Sequence, residues 1–111
     1  MLPTPSRAYL CSGPMDMRRS IDALSLYVEA LLERSPFSGE VFVFLNKNLD
    51  KVKLLWWDRH GFWLAYKRLE KGRFQSFPKA TEIAWADLML LLEGVDLSTR
   101  RLAKVDCNRV N

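Results

Sequence analysis

Residues 51 to 75 read KVKLLWWDRHGFWLAYKRLEKGRFQ, and the fold turns on how this stretch pairs with itself. Two apolar runs of strand length flank Asp58-Arg59-His60-Gly61, and Trp56, Trp57, Phe62, Trp63 and Tyr66 cluster around the break. The pattern is that of a β-hairpin. Its register decides which residues share a face, because a one-residue slip turns every side chain of a strand over. A three-residue loop Arg59-His60-Gly61, with Gly61 in the left-handed conformation, sets Asp58 opposite Phe62. Val52, Leu54, Trp56, Phe62, Leu64 and Tyr66 then form a core face. Lys51, Lys53, Leu55, Trp57, Trp63, Ala65 and Lys67 form the other, which suits a polyanion or cover by another part of the chain. The alternative two-residue loop, His60-Gly61, scrambles this separation.

Working outward, Glu40 to Asn46 (EVFVFLN) is apolar on both faces, as in a central strand covered on both sides. Strands at 41 to 46, 51 to 58 and 62 to 69 make an antiparallel meander. Ala8 to Cys11 can add a strand, and Phe74 to Phe77 alternates in a way that allows a short fourth one. From Asp16 to Glu33, the apolar Met17, Ile21, Leu24, Val28, Leu31 and Leu32 recur at helical spacing, and Ser35-Pro36 ends the run. Thr81 to Glu93 reads as a second helix, with Gly94 as its stop. The expected class is α+β: an antiparallel sheet of three to five strands packed on one long N-terminal helix, which buries Met17, Ile21, Leu24, Val28 and Leu31 against the face bearing Val52, Leu54 and Trp56, with a second, C-terminal helix. The expectation is one domain over residues 1 to 111, compact from about 7 to 95, with a polar tail at 96 to 111.

A chain of 111 residues that is 49% apolar can bury a core without disulfide or metal staples, and its apolar runs are too short to span a bilayer. The N-terminus lacks the pattern of a secretory signal, so a cytoplasmic location is expected. Seventeen Lys and Arg against thirteen acids favour polyanions by long-range attraction. Cys11 and Cys107 stand at opposite ends of the chain, without zinc-ligand spacing.

No phosphate loop, nucleophile elbow or metal-spaced histidine pair is present, and the single His60 falls in the hairpin loop. Asp50, Asp58 and Glu70 are explained by turns and surface pairing, which leaves a small metal-dependent nuclease as the third-ranked reading. No catalytic residue, metal ligand or cofactor is expected. Cations interleaved with aromatics carry more. Arg18 and Arg19 stand in the first turn expected for the helix, where the dipole disfavours positive charge; either Asp16 and Asp22 compensate locally or a phosphate does. Lys51, Lys53, Lys67, Arg68, Lys71 and Arg73 form a band along the hairpin and its exit, whose bland alternative is a solvated sheet edge. Trp57 and Trp63 are candidates for base stacking or for a protein surface.

Three segments resemble a known family. They are Gly13 to Asp22; Pro36-Phe37-Ser38-Gly39 with Val41 to Phe44 and Asn46; and Lys53-Leu54-Leu55-Trp56-Trp57-Asp58 with Gly61-Phe62 and Tyr66 to Phe74, closed by Leu90 to Gly94. Together they are similar to the small accessory protein, often called TnpB, of bacterial insertion sequences of the IS sixty-six type. The resemblance implies a role in transposition beside a separate, larger transposase that performs strand transfer, hence an accessory and not an enzyme. Where such proteins often carry a basic run after Asn46, this chain has Lys47-Asn48-Leu49. The leading expectation is a non-catalytic transposition accessory that binds DNA through Arg18, Arg19, Lys51, Lys53, Lys67, Arg68, Lys71 and Arg73. The alternative is an assembly factor that docks on the larger transposase or on another copy of itself.

Overall fold

The structure is a computed structural model that describes residues 7–76 and 79–94. Its elements, in order, are β1 (Arg7–Leu10), α1 (Ile21–Leu31), β2 (Val41–Leu45), β3 (Lys51–Asp58), β4 (Gly61–Arg68), β5 (Thr81–Ala84) and α2 (Trp85–Leu92). The five strands form one sheet in the order β4-β3-β2-β1-β5.

The sheet is mixed, which corrects the expected all-antiparallel meander. β1 runs parallel to β2, while the β2–β3, β3–β4 and β1–β5 pairs are antiparallel. A parallel pair needs a crossover, and α1 supplies it between β1 and β2. β1 is therefore an interior strand and not an optional addition at an edge. No long N-terminal helix forms either: α1 has 11 residues and α2 has 8. The first helix starts at Ile21 and not near Asp16, because the Asp16 carboxylate accepts hydrogen bonds from the Arg18 backbone amide and guanidinium in a local turn that competes with helix. Residues 81–84 pair with β1 as β5, so the second helix is four residues shorter at its start than its apolar pattern implied. Residues 73–76 are not strand, and 77 lies outside the described residues.

Each face of the sheet has its own core. On one, α1 buries Leu24 and Val28 against Phe42, Phe44 and Leu55, with Cys11 and Met15 beside them. On the other, α2 buries Leu88 and Leu91 with Ala8, Leu10, Val41, Val43, Val52, Leu54, Trp56, Phe74 and Ile83. The expectation that the first helix packs on Val52, Leu54 and Trp56 therefore fails, and Leu31, expected inside, is 69% exposed. The helices are also offset. α1 lies over β3 and β4, whereas α2 lies over β1 and β5.

The hairpin is present, but neither register considered from the sequence is the one adopted. Asp58 faces Gly61, Trp57 faces Phe62 and Trp56 faces Trp63, around a two-residue loop of Arg59 and His60. Arg59, and not Gly61, takes the left-handed conformation, at φ 54°. The physical reason is cross-strand pairing of rings. This register sets Trp57 edge-on to Phe62 with centroids 5.0 Å apart, and stacks Trp56 on Trp63 at 6.0 Å with 14° between their planes. Two such pairs contribute roughly 0.2–1 kcal/mol each, which offsets part of the roughly 1–3 kcal/mol cost of a left-handed arginine. As a result β4 is turned over relative to expectation: Phe62, Leu64 and Tyr66 face the α1 side with Lys53 and Leu55, while Trp63, Ala65 and Lys67 face the α2 side with Leu54 and Trp56.

Candidate nucleic-acid interface

The antiparallel returns of β2, β3 and β4 bring three separated sequence segments to one end of the sheet. The β2–β3 connection is closed by Asn46, 9% exposed, whose Oδ1 accepts the Asp50 and Lys51 amides at 3.0 and 2.9 Å while its Nδ2 donates to Asp50 Oδ1 at 2.6 Å. This holds Asp50 below the usual carboxylate range. Lys47 and Asn48 are left exposed at the tip. The segment leaving β4 folds back on the same connection: the Leu69 amide donates to the Asp50 carbonyl at 2.7 Å, and the Phe74 amide to the Leu49 carbonyl at 2.7 Å. Buried Phe74 anchors that return, and Lys71 and Arg73 are exposed on either side of Gly72. The segment before α1 joins them, for Met15 donates to the Leu45 carbonyl at 2.8 Å.

An open depression at this end is lined by Asp16, Arg18, Asn46, Lys47, Lys51 and Tyr66, among others. Arg18, Arg19, Lys47, Lys51, Arg68, Lys71 and Arg73 thus stand toward one end of the molecule, with Asp16, Asp50 and Glu70 among the described acids beside them. Arg18 pairs with Asp16 at 2.7 Å and holds its carboxyl down to about 2, Arg68 pairs with Glu70 at 3.0 Å, and Lys51 lies 3.9 Å from Asp50. Arg19, Lys47, Lys71 and Arg73 have no ion pair or side-chain hydrogen bond among the described residues.

The opposite end carries charge that cancels. Arg34 donates to Glu40 at 2.8 Å and to Glu82 at 3.1 Å, Arg7 donates to Glu82 at 3.0 Å, and the Arg34 guanidinium lies 3.9 Å from the centre of the Tyr9 ring. These partners are 6, 48 and 75 residues apart in the chain, so no local pattern announces the network.

Two of the six cations expected to form one band on the hairpin, Lys53 and Lys67, leave it. Lys53 is 6% exposed and its ammonium donates to the carbonyls of Met17 at 2.7 Å and Arg19 at 2.6 Å, with the Tyr66 ring centre 5.0 Å away. It is committed inside the protein. Lys67 faces the α2 side and donates to the Leu92 carbonyl at 2.7 Å, at the C-terminal end of that helix, where the dipole favours a cation. Of the eight expected contacts, Arg18, Arg19, Lys51, Arg68, Lys71 and Arg73 come together. Lys47 joins them and was missed, though its place between two asparagines in a turn marked it as exposed. The arginine pair does not sit in the first turn of α1; the Asp16 turn accounts for Arg18 by local pairing.

The tryptophans part as well. Trp57 is half-buried between Phe37 and Phe62, with ring centres 5.1 and 5.0 Å away, whereas Trp63 is 52% exposed and donates through Nε1 to Asp58 Oδ2 at 3.1 Å. Both stand near the hairpin tip, away from the basic end, so aromatic stacking and phosphate contact do not share a surface. No group of three or more His, Cys, Asp or Glu residues fit to hold a metal exists among the described residues. No described helix is long and apolar enough to cross a membrane.

Residues 6–102 match the model of a family described as IS66 Orf2 like protein, TnpB_IS66. Among curated proteins, the chain is 36% identical over 101 residues to the uncharacterized protein y4hO of Sinorhizobium fredii (strain NBRC 101917 / NGR234), covering 86% of this chain and 88% of that one. It is 33% identical over 94 residues to the uncharacterized protein y4jC of the same strain, covering 81% and 80%. No solved structure matches the chain.

Proposed function

We propose a function from one premise: the chain belongs to the IS66 Orf2-like family. It acts as a non-catalytic accessory protein of transposition that holds DNA by its phosphate backbone, beside the larger transposase that performs the chemistry. The observation that supports this reading is the gathering of Arg19, Lys47, Lys71 and Arg73, none of them ion-paired among the described residues, at the one end of the sheet where Arg18, Lys51 and Arg68 also stand.

Cations on turns at a sheet end neutralise phosphates and release counterions without reading bases. Arg18, Lys51 and Arg68 exchange a surface carboxylate for a phosphate at little cost, because exposed ion pairs contribute only about 0–1 kcal/mol. The mechanism is positional. The accessory supplies a charged surface that raises the local concentration of DNA around the transposase.

The test is DNA affinity across a salt series for wild type, Lys71→Ala with Arg73→Ala, Arg19→Ala with Lys47→Ala, and Lys67→Ala as a control. Each true phosphate contact removed lowers the salt slope by about one unit and weakens all sequences alike. Lys67→Ala leaves the slope unchanged. Absence of binding by wild type at low salt, or slopes retained in both double variants, defeats the reading. Loss of co-purification with the larger transposase in those variants then identifies the basic end as a protein-docking surface.

A further inference from the structure

β4 is the long edge of the sheet, eight residues hydrogen-bonded to a neighbour on one side only. The ladder with β3 decides which of its backbone groups are already used. Asp58 and Gly61 close a two-residue hairpin, and at the far end Leu69 donates to Asp50, so odd-numbered residues of β4 exchange hydrogen bonds with even-numbered residues of β3. The amides and carbonyls of Phe62, Leu64, Tyr66 and Arg68 therefore point out of the sheet, and no backbone hydrogen bond from the described residues meets them.

An edge of this length ordinarily carries a proline, a bulge or a mid-strand charge that blocks further pairing. Here the register runs unbroken from Lys51↔Arg68 to Asp58↔Gly61, and residues 62 to 66 are Phe-Trp-Leu-Ala-Tyr, with cations only at the end. Trp63 and Tyr66 are 52% and 55% exposed. The opposite edge, β5, is four residues long and carries Glu82, which is held by Arg7 and Arg34.

We propose that β4 pairs antiparallel with β4 of a second copy of this chain, about a twofold axis at Leu64, so that two five-stranded sheets become one. The strand is its own complement in that register. Trp63 of each copy stands across from Ala65 of the other, large against small, and Phe62 across from Tyr66. Lys67 and Arg68 of each copy come across from Gly61 and His60 of the other, at a tip where the charges of Asp58 and Arg59 cancel. Next to the edge, an apolar groove of about 410 Å³ lies between the Trp56–Trp63 stack and Leu92, on the α2 side of β4, where Trp63 stays half exposed. It receives the indole of the opposing Trp63. The pairing stands apart from the DNA reading, and its test contains no nucleic acid.

The experiment combines sedimentation of the full chain, from roughly 1 μM to 1 mM, with residue-resolved amide hydrogen exchange at low and high concentration. The expected result is a monomer–dimer equilibrium in which the amides of Phe62, Leu64, Tyr66 and Arg68 gain protection as concentration rises. Trp63→Lys, which also removes the stack on Trp56 within the monomer, weakens the dimer by at least about tenfold. A monomer at every concentration overturns the proposal, including one whose four amides become protected only when the larger transposase is added. Protection independent of concentration overturns it too, because the same chain then covers its own edge. So does a dimer that leaves those amides unprotected or is as tight with Trp63→Lys; the exchange measurement on wild type decides the matter even if that variant misfolds.

Discussion

The two faces of the sheet carry the same load by different chemistry. On the α2 face, Leu88 and Leu91 meet a mostly aliphatic layer of Val41, Val43, Val52, Leu54 and Ile83, with Phe74 and Trp56 at its margin. On the α1 face, Leu24 and Val28 meet Phe42, Phe44 and Leu55, and the same layer includes a buried lysine whose ammonium reaches the backbone just before α1. The difference teaches that charge in a strand is not a guide to its exposure. Lys53 alternates with apolar residues like any solvent-facing position, yet the chain ahead of α1 offers it two carbonyls and so a place inside.

The largest expected effect tests whether the faces are equal in worth. Leu24→Ala and Leu88→Ala each remove a fully buried side chain, and each should lower unfolding free energy by about 2–5 kcal/mol in denaturant melts. A loss below about 1 kcal/mol at either position shows that the sheet face beneath it is not a core.

Next, Lys53→Ala should cost about 1–3 kcal/mol, since the Met17 and Arg19 carbonyls lose their donor in a site water reaches poorly. The same variant should leave the salt slope of DNA binding unchanged. A variant as stable as wild type removes the asymmetry between the faces.

Cys11 sharpens the comparison through pH. Burial on the α1 face pushes its thiol from the ordinary 9.0 up to about 12. The unfolded chain therefore ionises this group first, so its contribution to stability is full below pH 9.0 and is lost as pH rises toward about 12. In Cys11→Ala that part of the alkaline loss should vanish, as read from denaturant melts at stepped pH. Iodoacetamide should modify Cys11 in the folded protein far more slowly than in the unfolded chain at pH 8.

The smallest effect belongs to Lys67, the cation of the α2 face. Its bond to the Leu92 carbonyl is exposed, so Lys67→Ala should cost less than about 1 kcal/mol in the same melts. A cost equal to that of Lys53→Ala would mean that both lysines are structural to the same degree.

Local chemistry by itself determined that residues 51 to 68 form a hairpin, that 41 to 45 form a strand buried on both faces, and that Ile21, Leu24 and Val28 line one side of a helix. Each depends on side-chain periodicity and turn residues within a few positions, which short-range sterics and burial enforce. Exposure of Lys71 and Arg73 beside Gly72 was legible for the same reason. Only tertiary structure decided that β1 lies inside the sheet and parallel to β2, because strand order depends on which distant segments close over α1. It also decided the hairpin register, where two aromatic pairs prevailed over glycine's preference for the left-handed turn position. The fate of the cations was settled there too. Lys53 was drawn inward by carbonyls 34 and 36 residues away, Lys67 by one 25 residues away, and Lys47 was brought beside Arg18 by the return of β2 into β3. Those bonds join groups whose separation along the chain exceeds any local pattern, so their partners exist only once the sheet has formed.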